Sequence, residues 1–112
     1  MNYKFIKIIN LQKERVTVFA RLYALPGYEK VLMEEAGILA EKTRKEVGCE
    51  MFVINVQKDE PKNFVFYEVF STDQDRITHL SCDYTIKFLE FVKGKVKGDA
   101  SEVTFLSEII SE

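Results

Sequence analysis

The chain has 112 residues, 46% hydrophobic and 30% charged, which suits one globular domain with a sizeable core. A net charge of -2 and a pI near 5.5 leave no cationic footprint for nucleic acid or an anionic membrane. No stretch approaches the ~20 apolar residues of a membrane span, and the N-terminal residues lack the uninterrupted apolar run of a signal peptide. With Cys49 and Cys82 far apart and no CxxC, the expectation is a cytoplasmic protein with reduced thiols.

Residues 1–15 read as an extension. Tyr3, Phe5 and Ile8 have strand chemistry, but the polar run from Asn10 to Glu14 separates them from the strand that begins at Val16, so they add an edge strand or reach a partner. Residues 16–112 form the domain. From Val16 to Ala24 the chain alternates, with Val16, Val18, Ala20 and Leu22 on one face and Thr17, Phe19, Arg21 and Tyr23 on the other. Pro26 and Gly27 mark a turn. The period then changes: Val31, Leu32, Ala36, Leu39, Ala40 and Val47 recur at three and four, predicting a long amphipathic helix. Lys42, Arg44 and Lys45 suit its C-terminal end, and Gly48 suits a left-handed residue after the last turn. Gly37 inside the helix suggests a close approach to the sheet.

Residues 50–56 predict a second strand, residues 57–63 a polar loop, and residues 64–70 a third strand that closes a hairpin with the second. Ser71 and Thr72 supply an N-cap for a short helix through His79 and Leu80. Ser81 to Asp83 interrupt it. A further helix from Tyr84 carries Phe88, Phe91, Val92 and Val96 on one stripe, and a last strand covers 102–110. The order strand, helix, strand, strand, helix, strand, with the second helix broken, is the α+β, ferredoxin-like β-α-β-β-α-β arrangement around a four-stranded antiparallel sheet. Helices cover one face of such a sheet, yet both faces of these strands carry large apolar residues. A two-fold homodimer with its sheets face to face, and a ligand cavity between each sheet and its own helices, is the economical solution.

The residue that stands out is Glu68. Strand alternation places it on the face of Phe64, Phe66 and Phe70, so it has a donor partner, holds a proton or lines a wet cavity. The chain's only histidine, His79, lies eleven residues later.

Val16 to Leu22 followed by Leu25-Pro-Gly27, Glu46-Val-Gly-Cys49, Phe66-Tyr-Glu-Val-Phe70 and His79-Leu80 together resemble the antibiotic biosynthesis monooxygenase domain, a family of small dimeric α+β barrel proteins. The similarity runs from about Val16 to Phe105. Tyr84 stands where many members have a second histidine, and Phe70 where a tryptophan is common. The resemblance implies oxygenation without metal or flavin of an electron-rich phenol or hydroquinone to a quinone. Other members degrade haem or isomerise a small sugar phosphate.

The residues agree with a cofactor-free reading, since the sequence offers no HxxxH, no CxxC, no GxGxxG and no phosphate-binding loop. A small aromatic substrate would then supply the electrons for dioxygen. His79 suits the base that deprotonates its hydroxyl, with Glu68 orienting the imidazole or relaying the proton. Arg21 and Tyr84 are candidates to hydrogen-bond the substrate anion, and Phe52, Phe66, Phe70 and Phe88 to stack on a flat ring. Two other readings stay open: an isomerase or tautomerase of a small carbonyl compound using the same base, and a non-catalytic ligand-binding dimeric module.

Overall fold

The computed structural model describes residues 15–109. Apart from Arg15, the expected N-terminal extension lies outside those residues, as does Ile110; within them the predicted last strand stops short, at Leu106. The elements are β1 (Val16–Tyr23), α1 (Glu29–Thr43), β2 (Cys49–Gln57), β3 (Glu60–Phe70), α2 (Asp73–Ser81), α3 (Asp83–Phe91), a single 3-10 turn (Lys97–Asp99) and β4 (Glu102–Leu106). The strands form one antiparallel sheet in the order β2-β3-β1-β4. This is the expected α+β, ferredoxin-like fold.

Register decides what each face carries. Val18, Ala20 and Leu22 of β1 lie opposite Glu68, Phe66 and Phe64 of β3, and Phe105 and Val103 of β4 lie opposite Val18 and Ala20. Phe52 on β2 pairs with Glu68. The helices pack on this face. Leu32, Ala36, Leu39 and Ala40 of α1, Phe88 of α3, and Val92 and Val96 beyond it bury against Ala20, Leu22, Phe52, Phe64 and Phe66. Full burial of a residue such as Leu32 or Phe64, each 1% exposed, is worth roughly 1.5–3 kcal/mol. The opposite face carries Phe19, Tyr67, Met51, Val53 and Leu106, and the last three are exposed.

Four local expectations change. The third strand starts at Glu60, so the predicted loop shrinks to a turn at Lys58 and Asp59, braced by hydrogen bonds from Gln57 Nε2 to Asp59 and from Asn63 Nδ2 to Gln57 Oε1. The long helix ends at Thr43 and turn-type hydrogen bonds carry the chain to Cys49, which leaves Val47 fully exposed rather than on the apolar stripe. Gly48 does not take a positive φ. It is required by a close approach instead, because a Cβ there would collide with the side chain of Asp75 at the start of α2. A Cβ at Gly37 would meet nothing within 4 Å, so no close approach explains that glycine. The break between α2 and α3 falls at Cys82, which is extended, and Thr72 caps α2 by accepting from Asp75 N at 3.1 Å.

Candidate active site

Between the sheet and the helices lies a cavity of about 170 Å³. Val18, Ala20 and Leu22 of β1, Phe52 and Phe66, Leu39 of α1, Phe88 and Leu89 of α3, and Val103 and Phe105 of β4 make its walls largely apolar. Glu68, Arg76, His79, Thr85 and Ser101 are its polar lining. A dry cavity of about 150 Å³ holds one benzene ring. This one has room for a single aromatic ring.

His79 is 4% exposed and enters from the last turns of α2. Its ring lies against Phe70 and Phe52, with centroid separations of 5.2 and 5.7 Å. Nδ1 is 2.9 Å from Glu46 Oε2. A carboxylate only accepts, so Nδ1 donates to it, and in the neutral imidazole Nε2 then carries the lone pair. Nε2 makes no hydrogen bond among the described residues. The same Glu46 oxygen accepts from Tyr84 Oη at 2.5 Å and lies 3.9 Å from Cys82 Sγ. Glu46 is brought there by the turns after α1, and its side chain is 12% exposed. Burial first, then the hydrogen bonds with Cys82 and Glu46, push the Tyr84 phenol well above its usual range.

Glu68 has the opposite environment. It lines the cavity and has no hydrogen-bond partner among the described residues. Burial, with a smaller contribution from the charge of Glu46, pushes its carboxyl up to about 7. Burial also raises the Cys49 thiol, assisted by the charges of Glu46 and Glu68.

Several sequence-derived positions move. His79 is oriented by Glu46, not by Glu68, because the turns after α1 bring Glu46 to Nδ1. Arg21 is exposed on the far face of the sheet, its guanidinium 5.7 Å from the Phe19 ring, since it alternates with Ala20 and Leu22. The Tyr84 hydroxyl is engaged by Glu46 and the residue does not line the cavity. Phe70 is fully buried behind His79 and does not reach the cavity, whereas Phe52, Phe66 and Phe88 do. Sequence reasoning missed Glu46 as a site residue and missed Arg76. The signal for Glu46 was its place in Glu46-Val-Gly-Cys49; Arg76 offered only its position three residues before His79. Among the described residues, no group of three His, Cys, Asp or Glu side chains is arranged to hold a metal ion.

Comparison with solved structures settles the fold. A crystal structure of an antibiotic biosynthesis monooxygenase superposes with a TM-score of 0.78 at 19% identity, covering 83% of this chain and 97% of the other. This chain shares the fold of that protein. A protein from Shewanella oneidensis shares it with a TM-score of 0.77 at 22% identity, over 88% of this chain and 95% of that one. So does a protein from Nitrosomonas europaea whose description also carries the monooxygenase name, with a TM-score of 0.80 at 18% identity over 87% and 92% of the two chains. No family model and no curated protein matches the sequence. Among the described residues no helix is long and apolar enough to cross a membrane. Within this shared fold, the cavity of this chain lies between the sheet and its helices, as expected.

Proposed function

We propose that this protein is a cofactor-independent monooxygenase that oxidises a single-ring phenol or hydroquinone to a quinone with dioxygen, acting as a cytoplasmic homodimer. The observation that supports it is the cavity-lining imidazole of His79, held through Nδ1 by Glu46 with Nε2 unpartnered among the described residues. Nε2 takes the phenolic proton, and Glu46 stabilises the imidazolium that forms. The phenolate passes one electron to dioxygen, and the phenoxyl radical and superoxide join, carbon to oxygen, at a ring carbon that carries hydrogen, para to the hydroxyl in a phenol and ortho to it in a hydroquinone, which then gives a hydroxyquinone. Glu68, whose carboxyl holds its proton up to about pH 7, protonates the distal peroxide oxygen. Loss of the ring hydrogen as a proton then breaks the O–O bond, a carbonyl forms, and the departing hydroxide takes up a proton. Phenol and dioxygen thus give quinone and water. The apolar walls suit dioxygen, and Phe52, Phe66 and Phe88 pack on the ring.

Two free cysteines fit a reducing compartment. The exposed side chains of Met51, Val53 and Leu106 on the sheet face away from the helices fit a second copy packed sheet to sheet. Sedimentation equilibrium tests the dimer; a monomer at micromolar concentration would remove it. The activity test is oxygen uptake by the metal-free protein with a panel of phenols and hydroquinones, beside a no-enzyme autoxidation control. Uptake matched by quinone formation supports the monooxygenase. Conversion of a carbonyl substrate under nitrogen would replace it with an isomerase, and saturable binding without product would replace it with a binding module.

A further inference from the structure

Arg76 is the only cation among the described residues that line the cavity, and its charge is committed to no partner inside it. Nε donates to Asp73 Oδ1 at 2.8 Å, and the guanidinium lies 5.2 Å from the centre of the Phe105 ring. These two contacts fix the plane of the group. They leave Nη1 and Nη2 without a hydrogen-bond partner among the described residues. Asp73 is the wrong place for full neutralisation, since its side chain is 61% exposed against 22% for Arg76, and such solvent-screened pairs are worth little. Glu68 is not the counter-ion either: its proton affinity is set by burial and Glu46, with no lowering contribution from Arg76.

A guanidinium held by Nε and an aromatic face, with its outer nitrogens open, has the geometry for a two-pronged grip on a carboxylate. Arg76 precedes His79 by three residues on α2, so the two lie on one helix face with Cβ atoms about 5–6 Å apart. One small ring can reach both. We propose that the substrate is a single-ring phenol or hydroquinone bearing a carboxylate, which Arg76 grips while His79 Nε2 faces the hydroxyl. The Ser101 hydroxyl, on the same cavity lining, supplies a further donor. This rests on the reading of the site as a phenol oxygenase but concerns binding, so it is tested without oxygen.

The test is calorimetric binding under nitrogen of three probes: gentisate, a hydroquinone with a ring carboxylate; its methyl ester; and unsubstituted hydroquinone. Native protein, Arg76→Met and Arg76→Lys are compared, with circular dichroism confirming that each is folded. Gentisate should bind at least about tenfold more tightly than its ester to native protein. The preference should vanish in Arg76→Met and survive in part in Arg76→Lys, which keeps the charge and loses the fork. Equal binding of acid and ester, no binding of gentisate, or a preference that persists in Arg76→Met would each overturn the proposal. Oxygen uptake on the same probes is a separate measurement: acid-selective binding with no uptake would leave the carboxylate grip standing and defeat the oxygenase reading alone.

Discussion

The two sides of the cavity keep their carboxylates under opposite conditions. At the helix-side corner, Glu46 accepts from His79 and Tyr84 with Cys82 alongside. On the sheet-side wall, Glu68 is flanked across the strands by Val18 and Phe52 and accepts from no described residue. One carboxylate is a hydrogen-bonded anchor and the other is a buried carboxyl that favours its proton. The difference comes from which element carries each. A turn after a helix can be surrounded by side-chain donors, whereas a central strand has its backbone groups paired and its neighbours apolar.

The sharpest way to break this comparison is to remove what Glu46 anchors. If the proposed mechanism holds, His79→Ala should lower turnover at least about a hundredfold, the range of a positioned general base, while the protein stays folded. Unchanged oxygen uptake would take His79 out of the mechanism. Glu46→Ala comes next: His79 and Tyr84 each lose their acceptor while partly or wholly buried, which should cost about 2–4 kcal/mol in urea unfolding as well as activity. A loss of activity with full stability would show that other acceptors replace it.

Glu68→Gln tests the sheet side. Between the usual carboxyl value of 4.5 and about 7, the native protein keeps a proton that the unfolded chain has released. The native state binds more protons there, so stability falls as pH rises through that window and levels off above it. The total is up to about 3 kcal/mol, and melting from pH 5 to 8 should show a fall in native protein that Glu68→Gln flattens. The smallest expected effect lies outside the site. Gly37→Ala, exposed in α1 with open space around a new Cβ, should stabilise by up to about 1 kcal/mol.

The strands, the broken second helix and the two-faced sheet were legible in the sequence because period-two and period-3.6 patterns are local. Cys82 at the helix break and Thr72 at the cap are local signals too. The partner of His79 was not legible. Glu46 and His79 are separated by 33 positions and meet only because the turns after α1 and the last turns of α2 converge, a fact of packing that no spacing rule contains. Arg21 and Tyr84 had the right chemistry for a substrate anion, but strand alternation turns one away and Glu46 captures the other. Gly48 was recognised as special for the wrong reason, since a neighbouring helix rather than backbone torsion demands it.

The position of β4 has a consequence for how anything enters. Among the described residues it is a sheet edge held on one side by β1, all five of its residues are exposed, and Val103 and Phe105 are part of the cavity wall. Strand β3, by contrast, is paired on both sides and carries the buried Phe64, Phe66 and Phe70. The last strand should therefore be locally less stable than β3, with its amides exchanging first in a hydrogen-exchange measurement. Fraying of that edge, rather than any movement of the helices that carry His79, is the route by which this wall of the cavity would open.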